Sequence, residues 1–300
     1  MTGEFYSRKL GPYYIEGVVG KGTVGIVYRV LTKEGDVLAL KVFVPPPAVD
    51  QELLMTRFER EAETMMRLQH PNILPVLATG HVDGSAYMAM PLIKGQALDG
   101  ILKKKNRFDE VEATEIGWQI ADALHYAYEN GVIHRDVKPS NILITNEGHA
   151  FLADFGVAYA LDDPGLTQAG HIVGTPAYMS PEQASQERKM DRQSDLYSLG
   201  VILYRLVTGK LPFSGTAPEI LHAHLHEKPP APSSIATVSP EMETIILKAM
   251  AKNPANRFAD GRAMAKELLE LNQLLREKNG HTSGSGLRAR FNRWLTRLRA

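Results

Sequence analysis

His134-Arg135-Asp136-Val137-Lys138-Pro139-Ser140-Asn141, followed shortly by Asp154-Phe155-Gly156, is the stretch on which the reading of this chain turns. Short apolar runs at 142–144 and 150–153 read as strands flanking these loops. Upstream, from Phe108, the residues Ile116, Ile120, Ala123, Leu124 and Ala127 recur at helical spacing, and Asn130-Gly131 supplies a C-terminal stop. Downstream, residues 193–208 are apolar on several sides, which predicts a buried central helix. Further helical patterns occupy 217–226, 240–251 and 260–277. The loops therefore lie in a helical part of the chain.

The first third reads differently. Val18-Val19, Gly25 to Val30 and Val37 to Val44 are short β-branched runs separated by turn signals. Pro45-Pro46-Pro47 ends the third run, because proline cannot donate to a sheet ladder. A helix is predicted over 51–69, with Leu54, Phe58, Met65 and Leu68 at helical spacing and His70-Pro71 as its stop. Strands are predicted around 73–80 and 86–90. A strand-rich beginning followed by a helical remainder predicts an α+β architecture of two lobes, for which 300 residues are sufficient.

Gly20-Lys21-Gly22-Thr23-Val24-Gly25 is a GxGxxG sequence, in which missing Cβ atoms let backbone approach phosphate oxygens. A glycine-rich hairpin explains the same residues. A dinucleotide-binding fold would need a helix next, whereas Ile26-Val27-Tyr28-Arg29-Val30 continues as a strand. In Leu38-Ala39-Leu40-Lys41 a lysine sits in an apolar strand. It is either an edge lysine pointing to water or a cation aimed at phosphate and held by a carboxylate. The helix over 51–69 offers Glu59, Glu61 and Glu63 as partners.

Composition removes several classes. Lys plus Arg equals Asp plus Glu at 34 each, so no global charge points to a nucleic-acid partner. There is no cysteine, which excludes disulfides, thiolate metal sites and Cys nucleophiles and fits a reducing compartment. Met1 to Leu10 is too polar for a signal peptide, and no run of about 18 apolar residues exists. The expected location is the cytoplasm.

The motif set resembles the bacterial eukaryotic-like (Hanks-type) serine/threonine protein kinases over roughly residues 13 to 276. HRDVKPSN at 134–141 matches the catalytic loop and Asp154-Phe155-Gly156 the metal-binding motif, in the expected order after the Gly-rich loop and strand lysine. Lys138 points to the Ser/Thr branch. The resemblance implies a bilobal fold, with a β-rich N-lobe at about 10–92 and a helical C-lobe at about 93–277. It also implies ATP and Mg²⁺ as cofactors and Ser/Thr hydroxyls of proteins as acceptors. By the same resemblance Gly20, Lys21, Gly22, Thr23 and Gly25 cover the phosphates. Lys41 contacts them and is held by Glu61. Asp136 accepts the hydroxyl proton, Lys138 steadies the γ-phosphoryl group, and Asn141 and Asp154 ligate the metal. Val27 and Ala39 enclose adenine, Met90 is the gatekeeper, and the carbonyl of Pro91 and amide of Ile93 meet the adenine edge. The competing class is a pseudokinase scaffold, disfavoured because Lys41, Asp136 and Asp154 are all present.

The resemblance further implies an activation segment over 154–182, with Glu182 pairing with Arg257 and Asp195 holding the catalytic loop. Thr175 is expected to contact Asp136 and Lys138, and Arg135 to meet a phosphate on Thr167. Residues 278–286 read as a flexible linker. After it, Leu287, Phe291, Trp294, Leu295 and Leu298 alternate with five arginines, a basic amphipathic helix suited to an anionic membrane surface. The membrane reading would place the chain at the inner face of the membrane; the same helix equally suits docking on the kinase domain, binding of a partner, or the juxtamembrane stub of a longer chain. The Lys103-Lys104-Lys105 run reads as a solvated helix end. Nothing in the residues sets an oligomeric state.

Overall fold

A computed structural model describes residues 9–22, 25–44, 51–82, 85–155, 176–185 and 191–279, with the side chains of 51–54, 57 and 61 excepted. Thr23, Thr167, Thr175, Gly156, the Glu61 side chain and the segments 280–286 and 287–300 lie outside the described residues. The chain divides into two compact units. The first holds the residues up to His70, Leu74–Lys94 and Asp154 onward; the second holds Pro71–Ile73, Gly95–Ala153 and the remainder from Gly174.

The first unit is an antiparallel sheet with one helix. Its strands are β1 (Lys9–Leu10), β2 (Tyr13–Gly22), β3 (Gly25–Leu31), β4 (Val37–Phe43), β5 (Ala78–Val82) and β6 (Ser85–Pro91), in the order β1-β2-β3-β4-β6-β5. Helix α1 (Gln51–Arg67) packs against β5 and β6. Alternation across the pleat divides the sheet's residues between two faces. Tyr13, Ile15, Val30, Leu40, Val42, Tyr87 and Ala89 form a core on one face. The opposite face carries Phe43, whose ring lies 5.0 Å from that of Phe58 in α1. Two expectations shift here. The predicted strand at 73–80 is β5 at Ala78–Val82, because Pro75 has no N–H for a ladder; Ile73 makes only an isolated parallel bridge to Leu152. The helix predicted to 69 stops at Arg67, in keeping with the bias against helical backbone before Pro71.

The second unit is helical. A small sheet pairs β7 (Gly95–Ala97), β8 (Ile142–Thr145) and β9 (Ala150–Leu152). Its helices are α2 (Leu98–Lys105), α3 (Glu110–Glu129), α4 (Pro181–Ser185), α5 (Arg192–Thr208), α6 (Ala217–His226), α7 (Pro240–Ala249) and α8 (Gly261–Lys278). Asp109 starts α3 with a capping box shared with Glu112. Helix α5 is the predicted central helix: Asp191 caps its first turn, and Leu196 to Val207 is buried almost without break. Gly209 ends it at φ +74°, a left-handed conformation in which a Cβ would be strained. Asn72 ties the segment before β5 into this unit, donating to Gln119 at 2.9 Å and to the Ala150 carbonyl at 2.9 Å.

Candidate active site

In the first unit the strand register brings the predicted nucleotide residues onto one face. Val27 pairs with Lys41, Ala39 with Met90 and Gly20 with Val27, so all five share the face opposite the core. Met90 and Ala39 are buried and Val27 half-buried. Pro91 ends β6, and Ile93 follows it half-buried. Lys21 and Gly22 are exposed at the tip of the β2–β3 hairpin. The glycines answer to different demands. A Cβ on Gly25 would stand 2.5 Å from the Val42 carbonyl oxygen, so glycine there serves the approach of β4. A Cβ on Gly20 would meet nothing within 4 Å, and on Gly22 only the Gly25 carbonyl oxygen at 3.7 Å. Among the described residues, a side chain at either position would thus meet no close neighbour.

Lys41 is 7% exposed, and its Nζ donates to Asp154 Oδ1 at 2.8 Å. The apolar strand thus holds an ammonium that does have a carboxylate partner, as burial requires. Asp154 adopts φ +58°, a conformation uncommon for a residue with a Cβ and held only where its surroundings impose it.

The second unit carries a polar cluster of its own. Asp136 Oδ2 accepts from Lys138 Nζ at 2.7 Å and from Asn141 Nδ2 at 3.0 Å. Asn141 also gives Nδ2 to the Asp136 carbonyl at 2.9 Å, so its own carbonyl oxygen is the atom suited to a cation. The backbone before Asp136 is clamped. Asp195, buried in α5, accepts from His134 N and Arg135 N, each at 2.8 Å. Burial, the largest influence, pushes the Asp195 carboxyl above its usual range against these two bonds. Asp136 N donates to His134 Nδ1 at 3.2 Å while His134 Nε2 meets the Ala153 carbonyl at 3.0 Å, a pair that assigns the proton to Nε2. Arg135, at φ +67°, also takes a left-handed backbone conformation uncommon for a residue with a Cβ.

Beyond the loop, Arg257 and Glu182 form the expected pair, and the fold makes it bidentate, with Nη1 to Oε1 at 2.6 Å and Nη2 to Oε2 at 2.9 Å. Burial alone would raise the Glu182 carboxyl; Arg257, with Ser194 at 2.9 Å, outweighs it and holds the carboxyl below its usual value. Sequence reasoning missed the neighbouring anchors. Ser198 Oγ donates to the Tyr178 carbonyl at 2.7 Å, and His224 Nε2 lies 3.2 Å from the Ala177 carbonyl. The other His224 nitrogen lies 2.8 Å from the Tyr197 hydroxyl. Lys252 donates to the Ala223 and His224 carbonyls at 2.9 and 2.6 Å. Such side chain to backbone contacts leave no local pattern in a sequence.

The helical unit thus holds a carboxylate gripped by lysine and asparagine on a clamped loop, and the sheet unit, by itself, a buried lysine on a second carboxylate, the residue types that the protein kinase class carries. The protein kinase domain family matches residues 13–271, and the chain belongs to that family. The serine/threonine-protein kinase pkn3 of Myxococcus xanthus is 40% identical over 281 residues, covering 89% of this chain and 51% of that relative. PknD of Mycobacterium tuberculosis is 40% identical over 254 residues, covering 83% of this chain and 38% of that relative. The chain thus spans about half or less of the length of these relatives. The crystal structure of the Mycobacterium tuberculosis PknI kinase domain is 29% identical with a TM-score of 0.70, covering 88% of this chain and 98% of that one. The fold is the bilobal kinase fold, of the bacterial Hanks type.

Proposed function

We propose that this chain transfers the γ-phosphate of ATP to Ser or Thr hydroxyls of protein substrates. The observation that carries the reading is the double grip on Asp136 Oδ2 by Lys138 and Asn141. A hydroxyl brought to Asp136 would meet a carboxylate able to orient it and take its proton, beside a cation suited to the transferred group. Phosphoryl transfer needs such positioning and charge compensation more than covalent help from the protein. Lys41, on the face of the β-sheet opposite the core, would hold the phosphates below Gly20 and Gly22. Val27, Ala39, Met90, Pro91 and Ile93 would take the adenine.

The metal would be Mg²⁺, held by the Asp154 carboxylate and the Asn141 carbonyl, oxygen donors that suit a hard cation. Among the described residues no group of three or more His, Cys, Asp or Glu could hold a metal, so phosphate and water would complete the shell. When bound, the ion neutralises phosphate charge. Glu61 would steady Lys41 from α1.

Substituting Asp136→Asn keeps the shape of the loop but removes the proton acceptor. Phosphorylation of a generic basic protein with labelled ATP and Mg²⁺ should fall at least about a hundredfold; undiminished transfer would exclude the assignment and favour the scaffold reading. We further read Thr167 as the autophosphorylation site that meets Arg135, with Thr175 contacting Asp136 and Lys138. Phosphopeptide mapping should find Thr167 modified, and full activity in Thr167→Ala would remove that role. Contact of residues 287–300 with an anionic membrane belongs to the same proposal.

A further inference from the structure

Gln183 links the stretch 176–185 to the loop at 134–141. Its two amide atoms have different partners. Oε1 accepts from Ser180 N at 2.9 Å, and Gln183 N in turn donates to Ser180 Oγ at 3.3 Å, a reciprocal capping box that opens α4. Nε2 donates to the Arg135 carbonyl oxygen at 2.7 Å. The opposite amide orientation would set an oxygen against a carbonyl and an NH₂ against an N–H, so the assignment is settled by its partners.

The Arg135 carbonyl belongs to the peptide unit that leads directly into Asp136. The N–H of that same unit is held by His134 Nδ1, and the preceding N–H by Asp195. Arg135 has the strained φ of +67°, so the peptide needs outside support to keep its direction. Gln183 is a support on its carbonyl end. A capping box accepts glutamate as readily as glutamine, but only glutamine has an N–H to give to Arg135. The residue type is therefore accounted for by the loop and not by the helix.

We infer that Gln183 is a positioning residue: it orients the Asp136 backbone and couples that orientation to the seating of residues 176–185. The inference rests on the kinase reading above. Movement of α4 carries Nε2 away from Arg135, so a displaced segment releases the catalytic peptide even while Asp195 and His134 remain in place.

The test compares the full chain with Gln183→Glu and Gln183→Ala. The first keeps the acceptor for Ser180 N and loses the donor to Arg135; the second loses both. For each, kcat and the KM for ATP are measured with a basic protein acceptor, alongside the thermal midpoint. Loss of one positioning hydrogen bond corresponds to a fall in kcat of about tenfold. Both variants should show it, with KM for ATP unchanged and only Gln183→Ala losing thermal stability. A Gln183→Glu enzyme with kcat within about twofold of the wild type would overturn the inference and leave the kinase reading intact. A wild-type chain without Mg-ATP-dependent transfer would overturn both.

Discussion

His224 lies wholly inside the helical unit and still makes two hydrogen-bonding contacts, with the Tyr197 hydroxyl and the Ala177 carbonyl. Burial, then the charge of Lys252, lowers its pKa from 6.5 to about 4. Lys252 is itself lowered to about 8, by burial and by Arg257. The consequence for stability has a definite sign. Between pH 6.5 and about 4 the unfolded chain takes up a proton that the folded chain refuses. The contribution of His224 is thus complete above pH 6.5, falls by up to roughly 1.4 kcal/mol per unit as pH drops, and levels off below about 4. His224→Gln can still donate to Ala177 but does not titrate. Urea unfolding at pH 7.5 and pH 5 should show a larger loss for the wild type than for His224→Gln; equal losses would refute this account. No sequence pattern separates this histidine from the neighbouring His222 and His226. Both of those are largely exposed, and only packing against α5 and the segment at 176–178 distinguishes them.

At the scale of elements, α4 is anchored by ions and α5 by apolar packing. The Arg257 side chain is fully buried, and besides Glu182 it donates to the carbonyls of Gln193, Ala251 and Lys252. A buried pair is expensive to break on one side, because the remaining charge stays desolvated. Arg257→Met or Glu182→Leu alone should cost about 3–5 kcal/mol in urea unfolding, and the double variant less than the sum of the two. Single costs below about 1 kcal/mol would contradict the pairing energetics. Glu182 and Arg257 could be paired in advance because each sits in a recognisable motif, Ser180-Pro181-Glu182 and Asn253 to Arg257. The long helices were equally legible, since periodicity and caps act locally: α5 and α6 fall within one residue of their predicted bounds. Residues 73–77 read as strand because the run is apolar; their destination was decided by Pro75 and by Asn72 docking beside α3 and β9. The candidate site follows the same division. Asp136, Lys138, Asn141 and Lys41 were visible through residue type and order. The supports given by Gln183, Ser198 and His224 depend on distant backbone and became visible only in the fold.

For the whole molecule the decisive quantity is the distribution of charge. The chain is formally neutral, yet residues 287–300 hold Arg288, Arg290, Arg293, Arg297 and Arg299 without an acid, so the rest carries five more acidic than basic groups. Among the described residues no helix is long and apolar enough to cross a membrane. The tail lies outside the described residues, and its reading rests on the recurrence of Leu287, Phe291, Trp294, Leu295 and Leu298 between the arginines. Near an anionic leaflet each arginine contributes about 1 kcal/mol, attenuated beyond a Debye length of about 10 Å at 0.1 M salt. Aromatic and leucine burial adds a part that salt does not screen. Intact protein should therefore sediment with phosphatidylserine vesicles, partly release at high salt, and ignore neutral vesicles. The same chain ended at residue 280 should bind neither while keeping its kinase activity. Equal sedimentation of the two forms would reject the membrane reading. A lower thermal midpoint in the shortened form, without any vesicle binding by the intact one, would instead assign the tail's apolar face to the kinase domain itself.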